Sequence, residues 1–187
     1  GSLLEDALLK GSPKLLTVAP HAVAAEAAPT DSCEVEPFSP TLEDKDFRVQ
    51  VAELIQSESK GVSLKDAKVV VGGGRGVGSE EHFAILEELA ALMNGAVGGS
   101  RVATNNGWRP HSDQIGQTGQ QIAPDLYIAC GISGAIQHIV GCKGSKNILV
   151  INTDQDAPIM ARADYAIIGD LHEVVPALIE EIKKAKG

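Results

Sequence analysis

Two stretches of the chain carry groups that could bind an anionic ligand, and the longer one covers residues 115–138. It reads IGQTGQQIAPDLYIACGISGAIQH, which predicts a loop, a buried strand, a second loop and the start of a helix. A strand that ends in Gly131-Ile132-Ser133-Gly134 and leads into a helix directs free backbone N–H groups towards one point. The positive end of the helix adds to this effect, and the combination suits an anionic group such as a pyrophosphate. A tight turn in an ordinary α/β core has the same pattern, so this turn alone does not distinguish the two interpretations.

The second stretch is the glycine-rich sequence GGGRGVG at residues 72–78, which follows a β-branched run. It does not fit the dinucleotide fingerprint G-x-G-x-x-G, because the last glycine position falls on Val77 or on Ser79. The next predicted strand ends in Ser100-Arg101, where an NAD site would have an acidic residue. The phosphate-binding pattern G-x-x-x-x-G-K-[ST] is absent as well. The stretch is therefore a candidate phosphate cradle with no fingerprint that identifies the ligand.

Short apolar runs predict the elements that would position these loops. The predicted strands are residues 68–72, 96–100, 125–130, 147–152 and 165–169. A helix is predicted after Ser79 as N-cap and ends near Gly95, and the last helix runs from Leu171 into a lysine-rich end.

Strands that alternate with helices predict an α/β fold with a doubly wound parallel sheet. Ligands of such sheets bind at the carboxyl ends of the strands. This rule collects the following polar residues on one rim: Arg75, Ser100, Arg101, Thr118, Ser133, His138, Asn152 and Asp170. For Asp170, the role of N-cap of the last helix is an equal alternative.

Residues 1–67 have a different composition and form an N-terminal extension. Residues 14–19 could form one strand, and residues 47–55 a second strand or a short helix. Residues 21–33 and 34–46 are rich in Ala, Pro and acidic residues, which is typical of exposed connections. We expect no independent core in this region.

Composition excludes several classes of function. The net charge of −9 and the 3% of aromatic residues disfavour a nucleic-acid surface. No apolar run approaches the length of a membrane span, so membrane insertion is not expected. The three cysteines, Cys33, Cys130 and Cys142, have no metal-ligand spacing and indicate reduced thiols of an intracellular protein rather than a metal site.

Several motifs together resemble a known family. The segments VVVGGGRG, GGSR, NNGW, QIGQTGQQIAPDLYIACGISGAIQH, INTD and APIMARADYAIIGDLHEVVP resemble, in order and spacing, the C-terminal domain of the electron transfer flavoprotein alpha subunit. The resemblance covers residues 68–187. It implies a Rossmann-like, deoxyhypusine-synthase-like FAD-binding domain at residues 68–187. Residues 1–67 would then be the remnant of the family's N-terminal α/β domain plus a linker.

The resemblance also implies a function. The family's domain binds FAD, pairs with a beta subunit in a heterodimer, and relays electrons through a semiquinone. The electrons come from flavin dehydrogenases, such as the acyl-CoA dehydrogenases of fatty acid β-oxidation, and pass to a membrane quinone oxidoreductase. The protein would thus be an electron carrier rather than an enzyme with its own substrate, in the bacterial cytoplasm or the mitochondrial matrix. Two alternatives remain open: a bifurcating or nitrogen-fixation-linked relative fed by NADH, and a structural nucleotide-binding domain without redox turnover.

By the same resemblance, the flavin contacts map onto residues of this chain. They are Arg75, Ser100, Arg101, Ile115, Gly116, Gln117, Thr118, Ser133, Gly134, Ala135, Ile136, Gln137, His138, Asn152, Asp170 and Leu171. Gln120 replaces a lysine of many members, and Val77-Gly78-Ser79 replaces a Lys-Ser-Gly approach to the first helix, but neither change falls on a contact.

Three of these residues are expected to tune the redox chemistry of the flavin. Arg101 would place a fixed positive charge beside the ring, which favours an anionic semiquinone. His138 would donate a hydrogen bond to the pyrimidine carbonyls, and Thr118 would donate one near the reactive ring nitrogen. The alternatives are a surface ion pair for Arg101, simple packing for His138 and a turn-stabilising role for Thr118.

Overall fold

The computed structural model describes residues 5–18, 23, 26–29, 32–49, 51–52 and 62–187. Within residues 5–52 the described residues are exposed and include one short 3-10 turn, Asp44–Phe47. Residues 14–18 of the predicted strand 14–19 are not a strand, which corrects that prediction, because their backbone pairs with no described strand. Of the predicted element 47–55, Phe47 ends the turn and residues 48–49 form a bend, while residues 50 and 53–55 lie outside the described residues.

A five-stranded parallel sheet forms the centre of residues 62–187. Its strands are β1 (Val69–Gly73), β2 (Ala96–Gly99), β3 (Leu126–Cys130), β4 (Ile148–Asn152) and β5 (Tyr165–Ile168). They lie in the order β2-β1-β3-β4-β5, and every adjacent pair is parallel. The structure therefore confirms the predicted α/β class and the parallel sheet, with each strand within about one residue of its predicted bounds.

Helices cover both faces of the sheet, as parallel sheets require. They are α1 (Phe83–Leu92), α2 (Arg101–Asn105), α3 (Ile136–Cys142) and α4 (Leu171–Lys186). Because successive residues of a strand point to opposite faces, Val71 and Ile128 join the core with α1 and α4, whereas Val70 and Tyr127 join the core on the α3 side.

The first helix begins later than the sequence predicted. Its N-cap is His82 rather than Ser79. The reason is local: after Ser79 the chain makes a turn in which the Phe83 N–H donates to the Glu80 carbonyl at 3.0 Å, and the Ser79 side chain lies beside the Glu81 carboxylate, whose pKa it lowers. The helix therefore begins only after this turn, at Phe83.

Two of the cysteines belong to the buried core. Cys130 lies on β3 and Cys142 ends α3, while Cys33 is exposed, and all three are free thiols. Burial raises the pKa of Cys130 to about 12 and that of Cys142 to about 11. Both buried thiols are therefore protonated near neutral pH and act as small apolar side chains. In the described part of the chain, no helix is both long enough and apolar enough to cross a membrane.

The core between α1 and the sheet gives a direct test of the fold. Leu86 of α1 is fully buried there, so truncation to Ala should lower the free energy of unfolding by about 2–5 kcal/mol. Urea denaturation followed by circular dichroism measures the difference. Ile168→Ala is the matched control, since Ile168 is 55% exposed on the edge strand and should change the stability little. Equal losses in the two variants would contradict the described core.

Candidate functional site

A cavity of about 450 Å³ opens at the carboxyl edge of the sheet. Its walls are the turn after β1, the start of α2, the loop 114–118, the loop from β3 into α3 and the loop after β4. This is the edge where the parallel-sheet rule places ligands. The volume falls within the range of about 300–1,000 Å³ that is usual for small-molecule and cofactor sites.

Most of the residues predicted for the site line this cavity. They are Arg75, Ser100, Arg101, Ile115, Gly116, Gln117, Thr118, Ser133, Gly134, Ala135, Gln137, His138 and Asn152. Three predicted residues do not line it. Ile136 is 71% exposed at the start of α3, Asp170 is the N-cap of α4, and Leu171 is buried in the core beneath Gly131.

Asp170 is the N-cap of α4, the structural role that the sequence offered beside a ligand contact. Its carboxylate accepts a hydrogen bond from the His172 N–H at 2.9 Å, which is N-cap geometry. The side chain that precedes the last helix thus satisfies an otherwise free helical N–H and does not line the cavity.

The glycine-rich turn after β1 uses its backbone for packing. The Gly74 N–H donates to the Cys130 carbonyl at 2.9 Å, and the Gly76 N–H donates to the Gly131 carbonyl at 3.0 Å. A Cβ atom on Gly76 would come within 2.7 Å of the Gly131 Cα. These two N–H groups are therefore committed to the protein and are not available to a ligand in the cavity, which Arg75 of the same turn also lines.

Sequence reasoning missed several cavity residues, and Gln114 is the most informative of them. Its side chain is only 2% exposed and links two threonines. The Thr104 hydroxyl donates to Gln114 Oε1 at 2.8 Å, and Gln114 Nε2 donates to Thr118 Oγ1 at 3.0 Å. Since Thr118 Oγ1 already accepts this bond, its own proton remains for another acceptor. Gln114 begins the QIGQTG motif, but nothing in the sequence shows that its amide is buried.

The remaining lining residues outside the predicted set are Gly76, Val102, Asn105, Gly131, Ile132, Asp154 and Ala157. Of these, Gly76, Gly131 and Ile132 belong to the two glycine-containing stretches that the sequence had singled out. Most of the remaining lining residues contribute backbone or small apolar surface, which leaves no distinctive signal in a sequence.

Backbone hydrogen bonds fix the loop 114–118 against the rest of the domain. The Ile115 N–H donates to the Gly99 carbonyl at 2.8 Å, and the Gln117 N–H donates to the Gln137 carbonyl at 2.8 Å. A side chain on Gly141 of α3 would collide with the backbone of Gly116. The loop is thus clamped between the end of β2 and α3, and Thr118 is carried on a fixed support.

The charges of the lining favour an anion. Arg75 and Arg101 both line the cavity and are exposed, and neither forms an ion pair within the described residues. By contrast, Arg109 outside the cavity is bound by both Asp113 and Glu87. Asp154 is the one carboxylate among the lining residues. Two guanidinium groups without carboxylate partners therefore face a site that has a surplus of positive charge.

Backbone and amide groups add hydrogen-bonding capacity. Within the described chain, the N–H groups of Ser133 and Gly134 donate to no acceptor, and both residues line the cavity. Asn152 instead braces the site: its Nδ2 donates to the Ile132 carbonyl at 2.9 Å, and its Oδ1 accepts from the Asp154 N–H at 3.0 Å. One further N–H of the Asn152 amide remains for a ligand.

His138 is buried where α3 meets the cavity. Its Nε2 lies 2.8 Å from the Tyr127 hydroxyl, and its Nδ1 is a buried atom for which the described residues provide no hydrogen-bond partner. Burial lowers the pKa of His138 to about 4, and the backbone of Ile115 partly opposes the shift, although it forms no hydrogen bond of normal geometry with the ring. The imidazole is therefore neutral near pH 7 and offers a hydrogen bond rather than a charge.

The lowered pKa of His138 predicts a pH-dependent stability. In the unfolded chain the ring takes up a proton near its ordinary pKa of 6.5, whereas in the folded protein it does so only near 4. Stability is therefore complete above about pH 6.5 and is lost as the pH falls towards 4. Between pH 7 and pH 5 the free energy of unfolding should fall by about 2 kcal/mol from this group. Urea unfolding of wild type and His138→Gln at both pH values isolates the contribution of His138, because the variant lacks the titrating ring.

His111→Gln serves as the control for this measurement, since His111 is exposed. The free energy of unfolding of this variant should fall between pH 7 and pH 5 by the same amount as that of wild type. A His138→Gln variant with the full wild-type pH dependence would contradict the burial of a neutral ring.

Comparison with known proteins agrees with this geometry. Residues 63–143 match the family model described as "Electron transfer flavoprotein FAD-binding domain". Protein FixB of Clostridium saccharobutylicum is 45% identical over 172 residues, which are 92% of this chain and 52% of the relative. The electron transfer flavoprotein alpha subunits of Megasphaera elsdenii and Bacillus subtilis are 48% and 47% identical, over 94% and 90% of this chain and 53% and 51% of the relatives.

The chain thus spans about half the length of the curated relatives that it matches. The match begins just before β1 and includes the loop 114–118 and all of α3, which form much of the cavity wall. Together with the parallel sheet, these similarities show that the chain belongs to the electron transfer flavoprotein alpha-subunit family.

Proposed function

We propose that the cavity binds FAD and that the protein is an electron carrier, the alpha subunit of an electron transfer flavoprotein. The observation that carries the proposal is the pair of guanidinium groups, on Arg75 and Arg101, that line the cavity without an ion-pair partner in the described residues. The match to a family model named for FAD binding supports the choice of ligand.

The lining residues fit the chemical parts of FAD. Arg75, Ser100 and the free N–H groups of Ser133 and Gly134 are suited to the pyrophosphate, which has two negative charges and many acceptor oxygens. Asn152, with one amide N–H to spare, suits a ribose or phosphate oxygen. The unpartnered Nδ1 of His138 is the kind of orphaned buried group that a bound ligand satisfies.

Bound FAD would supply a ring that takes up and releases single electrons. Arg101 would place a permanent positive charge near that ring and stabilise the negative charge that accompanies reduction. Thr118 would donate its hydroxyl proton, because Gln114 already occupies its oxygen as a donor. Neutral His138 would add a directed hydrogen bond without the cost of burying a charge.

We also infer the route of electron transfer, here called the circuit, and the domain organisation from the family. The chain would pair with an electron transfer flavoprotein beta subunit, accept electrons from flavin dehydrogenases such as acyl-CoA dehydrogenases, and pass them to a quinone oxidoreductase. Residues 68–187 would be the FAD-binding domain, and residues 1–67 the end of a preceding domain plus a linker. The described residues between 5 and 52 are exposed, including the apolar Leu15 and Phe38, which is consistent with a segment that packs elsewhere in a longer protein.

A second circuit, in which NADH reduces the heterodimer through the partner subunit, rests on the same fold. The relative named protein FixB is about as similar to this chain as the relatives named alpha subunits, so identity does not separate the two circuits. Mixing NADH with the assembled heterodimer under anaerobic conditions separates them, because only the second circuit bleaches the flavin absorbance.

Titration with FAD, followed by absorbance and by quenching of flavin fluorescence, tests the binding proposal. Arg101→Gln should weaken FAD binding by roughly 10–100-fold, since a hydrogen bond to a charged group contributes about 1.5–3 kcal/mol. It should also lower the midpoint potential of bound FAD, because the reduced ring loses a stabilising charge. Arg162→Gln is the matched control, as it removes the same charge from an exposed residue outside the lining of this cavity.

Two outcomes would contradict the proposal. One is an equal loss of FAD affinity in Arg101→Gln and Arg162→Gln, which would mean that Arg101 acts only through the net charge of the protein. The other is a chain that binds no FAD even when a beta subunit is present. Binding with no one-electron-reduced form during anaerobic dithionite titration would favour a structural nucleotide site over an electron carrier.

A further inference from the structure

A buried pair of polar side chains, Tyr127 and His138, lies between the sheet and the cavity. Tyr127 is on β3, and its side chain is fully buried on the α3 side of the sheet. His138 is 6% exposed and lines the cavity. The Tyr127 hydroxyl and His138 Nε2 are 2.8 Å apart, a normal hydrogen-bond distance.

This bond can be made in two directions, and each direction fixes a different tautomer of the ring. If the hydroxyl donates, Nε2 is the acceptor and the ring proton sits on Nδ1. If Nε2–H donates, the ring proton sits on Nε2, and the hydroxyl proton needs another acceptor. In the second case Nδ1 is a bare acceptor.

The surroundings of Tyr127 favour the first direction. His138 is its hydrogen-bond partner, and the described residues provide no other acceptor for the phenol proton. The ring is packed against Gly72 of the neighbouring strand so closely that a Cβ atom there would collide with the hydroxyl. A phenol that accepted from Nε2–H would therefore bury an unsatisfied proton among strands, in addition to an unsatisfied Nδ1. Donation to Nε2 leaves one unsatisfied group instead of two.

The other ring nitrogen has no partner in the described part of the protein. Nδ1 is a buried atom with no hydrogen-bond partner within the described residues. Because His138 lines the cavity, a proton on Nδ1 is uncommitted and can serve a ligand.

We propose that Tyr127 is a positioning residue that donates its hydroxyl proton to His138 Nε2 and so keeps the ring proton on Nδ1, where it serves as a donor to a ligand in the cavity. The tautomer follows from the contacts alone, whereas the identity of the ligand rests on the proposed function. The direction of the bond matters because it sets the sign of the interaction. An Nδ1–H attracts an acceptor atom that gains negative charge, while an Nδ1 lone pair would repel it.

Nuclear magnetic resonance of the chain without FAD tests the tautomer. The protein is prepared with ¹⁵N-labelled histidine, and long-range ¹H–¹⁵N correlation at pH 7 distinguishes protonated from bare ring nitrogens. The His138→Gln variant assigns the His138 signals by their loss. We expect the proton on Nδ1 in wild type. A proton on Nε2 in wild type would overturn the proposal, and this measurement needs no variant of Tyr127.

Tyr127→Phe tests whether the hydroxyl is the cause. It removes the donor while keeping the ring, so the His138 proton should redistribute towards Nε2. Tyr165→Phe is the matched control, because Tyr165 is 64% exposed on β5, and it should leave the His138 signals unchanged. A Tyr127→Phe protein that is folded and still has the proton fully on Nδ1 would overturn the role of Tyr127.

The same variants, loaded with FAD, connect the tautomer to the ligand. Tyr127→Phe should bind FAD at a lower midpoint potential than wild type, and Tyr165→Phe should not. A shifted tautomer with an unchanged potential would overturn the donor role of Nδ1–H. Failure of wild type to bind FAD at all would contradict the proposed function instead, and would leave the tautomer result standing.

Discussion

The turn after β1 and the turn after β3 lie on each other with almost no space between their backbones, and the rest of the site depends on this contact. Gly74 and Gly76 donate hydrogen bonds to the carbonyls of Cys130 and Gly131, and a Cβ atom on Gly76 or Gly131 would enter the other turn. Gly131 also has a φ of +61°, a conformation that favours glycine. Because the two strands are adjacent and parallel, this contact brings Arg75 and the loop of Ser133 to the same edge of the sheet.

The same contact explains why Gly74 and Gly76 have no free N–H groups to offer to a phosphate. A phosphate cradle needs N–H groups that point at the ligand, whereas here the N–H groups of Gly74 and Gly76 donate to the neighbouring turn. The groups that remain to bind an anion are the guanidinium groups of Arg75 and Arg101 and the free N–H groups of the loop after β3. A glycine-rich sequence after a first strand is thus compatible with two different uses of the backbone.

The structure also shows which features a sequence can predict and which it cannot. The parallel sheet was predictable, because β-branched runs such as residues 68–72 report burial through composition alone. The predicted N-cap at Ser79 was wrong, since the chain makes a further turn after Ser79 and α1 begins only at Phe83, with His82 as its N-cap. Gln114 was missed for a related reason: its burial depends on Thr104 and Thr118, which meet it only after the loop has folded. Sequence patterns report apolar burial well, and they report pairings between polar side chains poorly.

The two polar groups expected at a bound ring work by different physics, and the structure explains why. Arg101 is exposed, so its charge costs little to maintain and acts through space on whatever lies in the cavity. His138 is buried, and a charge there would be expensive, which is why burial keeps its pKa near 4. A buried neutral ring can influence a ligand only through a directed hydrogen bond, and that bond is useful only if the proton is on the correct nitrogen. The partner on the protein side of the ring therefore matters as much as the ring itself, and in this fold that partner is a tyrosine on the central part of the sheet, between β1 and β4.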